Sequence, residues 1–449
     1  MGDLPVYNGP FGQAQAERLL WRAGFGVRPN EAYQYSKLGL HGAVHKLTNP
    51  GPEKLHGPWP HDDRGRHLAP ADAWGHDHAW WLDRMVRTQR PLVERMTLIW
   101  HDWFATSIDG VGSQRLMLRQ NQLFRAYGLG NFHDLLRRVT ANPAMLIWLN
   151  GVDNRKGSPN ENYARELMEL FTLGADRGAY SEDDVREQAR ALTGWRNDWR
   201  EGKGAVNFRF DKRLHDTGTK KIFGKRGRFD WRDSVRLCVD HPKHASFFVS
   251  KLWGYFIPVP PSAHDQRALE RLYVSSKHDI KPVVSAILMH PALYTGPRMM
   301  KSPIVYTAGL MRRIGRRIDT VAYVWLDDLA GQRLFAPPNV AGWDETRWMD
   351  TATFRGRWLV ARQIMEKSAI DPNKKRHQKV APNANAIVRN ALEYWHNPKL
   401  GPETMAALHD FAERVMASAD EDWKKKTYPL LGANAARALI AASPEMQAA

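Results

Sequence analysis

The segment PLVERMTLIWHDWFAT occupies residues 91–106 and has the pattern of a single helix. Pro91 suits the first helical turn, because proline fixes φ and lacks an N–H that would have no partner there. Apolar side chains then cover most of the circumference, and they are Leu92, Met96, Ile99, Trp100, Trp103 and Phe104. A helix that is apolar on most sides is buried among other elements. The segment therefore predicts a large helical body around it.

Helical periodicity continues on both sides of this segment. Two short helices are predicted at 14–23 and 31–47, and a long loop rich in Pro, Gly and His follows at 51–75. The further predicted helices lie near residues 72–87, 113–127, 131–140, 160–173, 182–195, 231–239, 243–256, 265–276, 280–289, 302–316, 354–367, 386–396, 402–417 and 433–442. The chain is therefore helical along most of its length.

A short region at about 204–229 interrupts the helical pattern. Its alternating runs, VNFRF at 206–210 and KIFG at 221–224, predict a small β-hairpin. The predicted fold class is mainly α, a large multi-helix body with a small β-hairpin insertion and a helical C-terminal tail. We place a main helical domain at 1–368, a linker at 369–385, and the tail, packed on the main body, at 386–449.

The composition is that of a globular protein with a basic excess. The chain has 449 residues, 65 Lys and Arg against 48 Asp and Glu, and a net charge of +17. Its single Cys238 excludes a disulfide framework and a Cys-based zinc or iron–sulfur site within one chain. Nine basic residues lie between 203 and 228, which fits either a solvated loop or a surface for an anionic partner. Patterns of zinc fingers, RRM domains or P-loops, which would favour nucleic acid, are absent.

The first residues carry no basic stretch followed by an apolar one, so we expect no signal peptide. Read as it stands, the sequence predicts a cytoplasmic protein, and a trimmed start would equally fit an exported one. No run of about 18 apolar residues occurs, so we expect no transmembrane helix.

Five segments together resemble one bacterial family. They are LLWRAGFG at 19–26, MTLIWHDWFATS at 96–107, NENYARELMELFTLG at 160–174, ALTGW at 191–195 with HDTGTK at 215–220, and LFAPPNVAGW at 334–343. In order and content they are similar to the DUF1800 family, a domain of unknown function, and the resemblance runs nearly to the end of the chain. Because that family is named for having no established activity, the resemblance implies no catalytic residue.

The helix predicted from Asn160 carries a polar stripe opposite its apolar band. At about 100° per residue, Glu166 and Glu169 are neighbours on this stripe. Paired carboxylates can perform acid–base chemistry, so we predict Glu166 and Glu169 as catalytic residues. Asn160, Asn162 and Arg165 lie beside them and are predicted to bind the substrate. The alternative is a solvated face on which Arg165 and Glu169 form an ion pair.

Glu94 and His101 lie two turns apart on the apolar helix at 91–106. Both need partners, because an unpaired buried charge is costly. One solution is a structural hydrogen-bond network between helices. The other is a cleft where Glu94 and His101 meet Glu166 and Glu169, with His101 catalytic or all four binding a divalent metal. The Glu-x-x-Glu spacing departs from the Glu-x-x-His pairs that are usual in di-iron helical proteins.

His215 and Asp216 precede a Thr-Gly turn in the basic region. A histidine on a loop can act as acid or base near neutral pH, so His215 and Asp216 are predicted catalytic residues. An Asx turn is the alternative explanation. Lys220, in the same region, is predicted to bind an anionic substrate. Trp343, in a loop shaped by two prolines and a glycine, is predicted to line the pocket or stack on a sugar, and the alternative is a core position.

These patterns predict an enzyme with a polar Glu/His cleft between helices, acting on an anionic or polyhydroxylated substrate, with hydrolysis as the default reaction. A second interpretation is a non-catalytic protein that binds an anionic polymer, polysaccharide or nucleic acid, through a basic, Trp-rich surface. A third is an oxidative enzyme that depends on a metal or haem. Signatures of a serine nucleophile or a dinucleotide site are absent.

Overall fold

The structure is a computed structural model that describes residues 4–374 and 380–449. The protein is 56% helical, with two small two-stranded antiparallel sheets and a set of C-terminal helices. The predicted fold class is confirmed. In the described ranges no helix combines the length and apolar character needed to cross a membrane.

The first third of the chain holds nine helices and one long loop. The helices are α1 (Gln13–Arg22), α2 (Glu31–Ser36), α3 (Gly39–Thr48), α4 (His76–Arg87), α5 (Pro91–Trp103), α6 (Ile108–Val111), α7 (Gln114–Tyr127), α8 (Phe132–Thr140) and α9 (Pro143–Trp148). A 3₁₀ turn at Gly151–Asp153 follows α9. The long loop predicted at 51–75 lies between α3 and α4, and its chain holds only isolated β-bridges.

The middle of the chain contains both sheets. Its helices and strands are α10 (Asn162–Glu166), α11 (Glu182–Ala191), β1 (Trp195–Arg200), β2 (Gly204–Phe210), β3 (Lys220–Ile222), β4 (Lys225–Gly227), α12 (Trp231–Val239), α13 (His244–Gly254), α14 (Ala263–Ser275), α15 (Ile280–Met289) and α16 (Pro291–Thr295). Between α10 and α11 lies a π-helical turn at Leu167–Thr172.

The last third of the chain is helical in all its regular elements that the structure describes. Its helices are α17 (Pro303–Ile314), α18 (Tyr323–Leu329), α19 (Thr351–Glu366), α20 (Ala384–Tyr394), α21 (Pro402–Ala417), α22 (Asp422–Ala442) and α23 (Pro444–Gln447), with a 3₁₀ turn at Glu345–Arg347. Ile440 of α22 belongs to the same hydrophobic cluster as Ile304 of α17. Residues 375–379 of the predicted linker lie outside the described residues, and the division into domains stays a prediction.

Helix α5 lies where two hydrophobic clusters meet. Met96 and Trp100 belong to one cluster, and Leu98 belongs to the other. Twelve of the 13 residues of α5 are buried, and Asp102 is the exception. The burial predicted from the apolar circumference is confirmed. Asp102 is partly buried, so α5 places a carboxylate at the edge of the core.

Two hairpins form where the sequence predicted one. Strand β1 pairs with β2, and β3 pairs with β4, both antiparallel. The helix predicted at 182–195 was too long, because α11 ends at Ala191 and Trp195 begins β1. Gly194 makes this change of direction possible with a φ of +113°, a conformation that side chains other than glycine rarely adopt.

The helix predicted at 160–173 changes type half-way along. It is α-helical only over Asn162–Glu166, and the π-helical turn at Leu167–Thr172 continues it. A π-helix has more residues per turn than an α-helix, and such turns are frequent at functional sites. The angular positions assigned from about 100° per residue therefore fail after Glu166, which is where the predicted acid pair lies.

Candidate active site

Asp102, near the end of α5, is held by two hydrogen-bond donors. The hydroxyl of Tyr255 donates to Oδ2 at 2.6 Å, and the backbone N–H of Trp343 donates to Oδ1 at 2.9 Å. Burial raises the pKa of Asp102 above its ordinary value, although both donors favour the ionised form. Asp102 is therefore an oriented carboxylate with a raised proton affinity, which are the properties of a general base.

Three further ionisable side chains surround Asp102. Glu345 is an exposed residue, but local desolvation raises the pKa of its carboxyl, and the charge of Asp102 raises it further. Burial lowers the pKa of Lys251 to about 8, and the carboxylate of Asp102 opposes this shift. Burial also lowers the pKa of Arg95 to about 10, so its guanidinium stays charged at neutral pH. Several shifted pKa values in one place are typical of a functional site.

Lys251 and Arg95 differ in how many hydrogen bonds their side chains donate to other residues of the protein. The ammonium of Lys251 donates to the carbonyl of Leu170 at 3.0 Å and lies 4.5 Å from the ring centre of Trp103. Arg95 makes one long bond, from Nη2 to the carbonyl of Tyr255 at 3.5 Å, and its buried Nε has no acceptor in the described chain. Arg95 can therefore bind an oxygen of a ligand, whereas Lys251 is held by the protein.

The loop before α19 brings Trp343 and Glu345 to Asp102. Gly342 has a φ of +96°, and a Cβ there would lie 2.4 Å from Oδ1 of Asp102. Glycine thus allows the close approach through which the N–H of Trp343 reaches the carboxylate. The side chain of Asp344 accepts a bond from the N–H of Thr346 at 3.0 Å and caps the 3₁₀ turn that holds Glu345.

A cavity of about 30 Å³ lies beside Asp102. Its polar lining consists of Arg95, Asp102, Tyr255, Ser302, Gln332 and Glu345. Because one water needs at least about 10–15 Å³ of such space, the cavity suits one or two waters or one small polar group of a substrate. A carboxylate base, a second carboxyl group and a guanidinium with an unpaired Nε thus border a cavity about as large as one reacting group. We call this arrangement the Asp102 centre.

Glu94, a predicted metal ligand, is fully engaged in a structural network. Its carboxylate accepts bonds from Trp81 Nε1 at 3.0 Å, Arg125 Nε at 2.6 Å and Arg84 Nε at 3.3 Å. Burial alone would raise the pKa of Glu94, but Arg125 and then Arg84 outweigh it and hold the pKa below its ordinary value. Glu94 is therefore a buried ionised group with its partners in place, which matches the structural alternative.

His101, predicted as a catalytic residue, is also buried in the core. The backbone N–H of Phe335 donates to its Nε2 at 3.1 Å. Its ring packs against those of Trp81 and Trp343, both at 5.4 Å between centres. Trp343 is itself buried, which agrees with a core position, and its predicted role in lining a pocket stays a prediction. Burial lowers the pKa of His101 to about 3, which keeps the imidazole neutral.

The neutral His101 predicts a loss of stability in acid. The unfolded chain binds a proton near the ordinary histidine pKa of about 6.5, whereas the folded state does not until about 3. Stability is therefore lost as the pH falls below 6.5. Between pH 7 and 5, the free energy of unfolding of His101→Gln should fall by about 2 kcal/mol less than that of the wild type in urea titrations. The exposed His41→Gln is the control, and equal losses in wild type and His101→Gln would contradict the assignment.

Glu166 and Glu169 lie at the start of the π-helical turn and are both partly exposed. Burial raises the pKa of Glu166, and the charge of Glu169 adds to the rise. The hydroxyl of Tyr180 donates to Glu169 at 3.4 Å. The structure brings these two carboxylates close enough to interact, but not to Glu94 or His101. Their catalytic role stays a prediction.

The predicted substrate-binding residues beside this pair make bonds within the protein. Arg165 pairs with Glu182 at 2.7 Å, on the following helix α11, so the alternative pairing with Glu169 was wrong. The side-chain oxygen of Asn160 accepts a bond from the N–H of Asn162 at 3.0 Å, which shapes the start of α10. Whether these residues also bind a substrate stays a prediction.

The four predicted metal ligands Glu94, His101, Glu166 and Glu169 do not form one site. In residues 4–374 and 380–449, no group of three or more His, Cys, Asp or Glu side chains is arranged to hold a metal ion. The carboxylate of Glu94 bonds to arginines and the Nε2 of His101 to the backbone of Phe335, so both side chains are held by partners within the protein. The prediction that these four converge was wrong.

His215 and Asp216 tie the chain before β3 to the end of α11. The Nδ1–H of His215 donates to the carbonyl of Thr193 at 2.9 Å, and burial lowers the pKa of His215. Asp216 accepts a bond from Arg190 Nε at 2.8 Å and one from the N–H of Gly218 at 2.8 Å. The second bond is the Asx turn predicted as the alternative. Their predicted catalytic role is not tested by these contacts.

Lys220 differs from the exposed cation that was expected. It is buried, its ammonium donates to the carbonyls of Asp216 and Gly218, and burial lowers its pKa. Its charge therefore closes a turn, and its predicted role in substrate binding stays a prediction. Six of the nine basic residues remain exposed without a carboxylate partner among the described residues, and they are Lys203, Lys212, Lys221, Lys225, Arg226 and Arg228.

The profile of one protein family, described as "Protein of unknown function (DUF1800)", matches residues 18–448. The chain belongs to the DUF1800 family. The resemblance inferred from the five segments is confirmed. No curated protein and no solved structure matches the chain.

Segments that carry the DUF1800 resemblance touch one another around α5. Asp102 in the second segment accepts the N–H of Trp343 in the fifth. Trp103 Nε1 in the second donates to the carbonyl of Phe171 in the third at 3.1 Å. Asp102 is thus a contact between family segments as well as the centre of the ionisable cluster.

Sequence reasoning missed the residues that form the Asp102 centre. Asp102 itself stands in the quoted helix, as an acid between His101 and Trp103, and that was a usable signal. Arg95 follows Glu94 on the same helix and was equally visible. Lys251, Tyr255 and Glu345 carried no local signal, because α13 and the loop before α19 reach α5 only through the tertiary fold.

Proposed function

We propose that this DUF1800 protein is a hydrolytic enzyme whose catalytic residues are Asp102 and Glu345. The observation that supports this most directly is the position of Asp102, an oriented carboxylate beside a water-sized cavity, next to a second carboxyl whose pKa its charge raises. Two neighbouring carboxyl groups do not ionise equally, so one acts as a base while the other retains its proton as an acid.

The hydrogen bonds support a division of roles between the two carboxyl groups. Asp102 accepts bonds from Tyr255 and Trp343, which stabilise its ionised form, so it is the base that removes a proton from the attacking water. Among the described residues no donor bonds to the carboxylate of Glu345, and desolvation and the charge of Asp102 favour its protonated form, so it donates a proton to the leaving group. Burial and Asp102 raise the pKa of Tyr255, which keeps its phenol a donor.

Arg95 indicates what the substrate presents to this site. It is a charged side chain with a buried, unused Nε, and it lines the same cavity. A guanidinium forms strong bonds with carboxylate, phosphate or sugar oxygens. The proposed substrate is therefore anionic or polyhydroxylated. Lys251 is a positioning residue, because its charge acts on Asp102 while its ammonium is held by the π-helical turn.

The test compares hydrolysis by the wild type and Asp102→Asn on a panel of 4-nitrophenyl glycosides, uronides, carboxylic esters and phosphodiesters. Loss of a general base lowers turnover, so Asp102→Asn should reduce kcat at least about 10²-fold. Asp109→Asn, at an exposed position on α6, is the matched control and should keep wild-type turnover. The acid limb of the wild-type pH profile should lie above the ordinary aspartate pKa of about 3.9.

Retention of turnover by Asp102→Asn would show that the base lies elsewhere, for example at Glu166. If the wild type hydrolyses no member of the panel, the hydrolytic assignment is wrong. A variant that loses turnover must also show a urea-unfolding midpoint like that of the wild type. Only then can the loss be attributed to the catalytic step and not to unfolding.

A further inference from the structure

Two large cavities lie on either side of the end of α7. One has a volume of about 440 Å³ and the other about 540 Å³, and both are lined by Ala126. Each falls in the range of about 300–1,000 Å³ that is usual for ligand sites. They share Ala126 as a lining residue and are therefore adjacent, and we call the two cavities together the α7 groove. A ligand with several charged groups could reach both.

Cations dominate the lining of the α7 groove. They are Arg90, Arg125 and Lys281 in the first cavity and Arg119, Arg137 and Arg138 in the second. No Asp or Glu of the described residues lines either cavity. A concave surface with charges of one sign concentrates ligands of the opposite sign.

Some of the cations that line the groove form ion pairs with carboxylates of the protein, and others do not. Glu94 pairs with Arg125, and Asp134 is shared by Arg137 and Arg138. Three cations have no ion pair in the described chain, and they are Arg90, Arg119 and Lys281. Lys281 donates only to the side-chain oxygen of Asn49, at 3.2 Å. The groove therefore keeps positive charge available for a ligand.

Buried donors without acceptors give a second, independent indication of a ligand. The Nε atoms of Arg90 and Arg138 and the Nε1 of Trp231 are buried and have no acceptor in the described chain. Trp231 is only 5% exposed and lines the second cavity. Leaving a buried donor unpaired is costly, so these positions favour a ligand that is rich in acceptor oxygens.

The aromatic rings of the groove distinguish between two classes of polymer. Arg138 covers the ring of Tyr127 at 3.9 Å from its centre, and Arg232 covers that of Trp231 at 4.5 Å. Single-stranded nucleic acid is bound mainly by stacking of bases on free aromatic faces. One face of each ring is covered by a cation of the protein, which leaves less aromatic surface on which bases could stack. Acidic sugars need no such stacking, because their charges and hydroxyls bond to donors.

We propose that the α7 groove binds an acidic oligosaccharide, with its carboxylate or sulfate groups on Arg90, Arg119 and Lys281. The proposal is independent of the proposed catalytic function. On α5, Val93 and Met96 line the first cavity, whereas Leu98 and Asp102 line the cavity of the Asp102 centre on the opposite side of the helix. The two sites share no lining residue.

Calorimetric titration with hexagalacturonate and with a heparin hexasaccharide, at low and physiological salt, tests this proposal. The wild type is compared with the triple variant Arg90→Gln, Arg119→Gln, Lys281→Gln. Each lost bond to a charged group weakens binding, so we expect the affinity to fall at least about tenfold. The exposed single variant Arg119→Gln should also weaken binding, and it guards against a folding defect in the triple variant.

The control removes the same charge from the exposed basic hairpins, by Lys203→Gln, Lys221→Gln and Lys225→Gln. This variant should bind as the wild type does, within about twofold, since distant exposed charges are screened at physiological salt. If the hairpin variant loses binding and the groove variant does not, the basic region at 203–228 is the site and the proposal is wrong.

Two further ligands complete the test. Oligothymidylate of six nucleotides should bind at least about tenfold more weakly than the acidic hexasaccharides, because one face of each ring is covered. Neutral maltohexaose should not bind measurably, since it lacks charge. Tighter binding of the nucleotide, or no binding of either acidic sugar at low salt, would overturn the proposal. Binding of the heparin hexasaccharide alone would support the proposal with sulfate as the recognised group, since both sugars carry carboxylates and heparin alone carries sulfate.

Discussion

Replacement of Glu94 by Gln is expected to lower the free energy of unfolding by about 3–5 kcal/mol. The carboxylate of Glu94 is buried and compensates the charge of Arg125, and Arg84 donates to it as well. Glutamine keeps the shape of the side chain but not its charge, so Arg125 would stay in the core without a counter-charge, whereas Arg84 would keep its ion pair with Glu53. Urea unfolding of wild type and variant at pH 7 measures the difference.

The control for Glu94 is Asp134→Asn, which removes a carboxylate from a partly exposed pair with Arg137. Exposed ion pairs contribute little, so this variant should lose less than about 1 kcal/mol. A loss of similar size in both variants would contradict the structural role of Glu94. A stoichiometric metal that is present in the wild type and lost in Glu94→Gln would instead support the ligand role.

The effect of Glu94→Gln should also depend on pH. Burial opposes the ionisation of Glu94, but Arg125 outweighs it and lowers the pKa in the folded protein. A lowered pKa stabilises the fold above the ordinary glutamate value of about 4.3, and this contribution is lost as the pH falls through the lower folded value. The stability difference between wild type and variant should therefore be constant near neutral pH and shrink below about pH 4.

Replacement of Gly342 by Ala is expected to damage both the fold and the Asp102 centre. The new Cβ would lie 2.4 Å from Oδ1 of Asp102 and 2.9 Å from its backbone oxygen, too close for the loop to stay in place. The positive φ costs about 1–2 kcal/mol for a residue other than glycine, and the overpacking costs about 1–3 kcal/mol. Urea unfolding should show the sum, about 2–5 kcal/mol.

Gly65→Ala is the matched control for Gly342. Gly65 has a φ of +75°, and a Cβ there would meet nothing within 4 Å. This variant should show only the conformational cost of about 1–2 kcal/mol. Equal destabilisation by the two changes would mean that the contact with Asp102 does not limit the loop. If the proposed function is correct, Gly342→Ala also loses turnover, because the N–H of Trp343 leaves Asp102.

Together, these expectations separate two kinds of buried charge in this DUF1800 protein. Glu94 lies among donors that satisfy it completely, and the result is a neutralised network in the core. Asp102 lies beside a cavity, with a carboxyl and an unused guanidinium nearby, and the result is a site that can exchange protons with a ligand. The first kind predicts stability effects and the second predicts effects on turnover.

The helical body and the place of α5 inside it were predictable from local patterns. A helix with Leu92, Met96 and Trp100 on different sides has to be covered on all of them, because exposed apolar surface is unfavourable. The family followed from segments that are contiguous in sequence. The β insertion was predicted as one hairpin instead of two, because its first strand begins in residues that continue a helical pattern until Gly194 turns the backbone.

The partners of each polar side chain depended on the tertiary structure. Glu94 and Asp102 stand on one helix, eight residues apart, and nothing local distinguishes a carboxylate that faces Arg125 from one that faces Tyr255. Helical periodicity reports on which side of an element a residue lies, since it depends only on the repeat of the backbone. The approach of α13 and of the Gly342 loop to α5 depends on packing between segments more than a hundred residues apart. Periodicity therefore predicted the scaffold, and long-range packing decided which of its charges form a site.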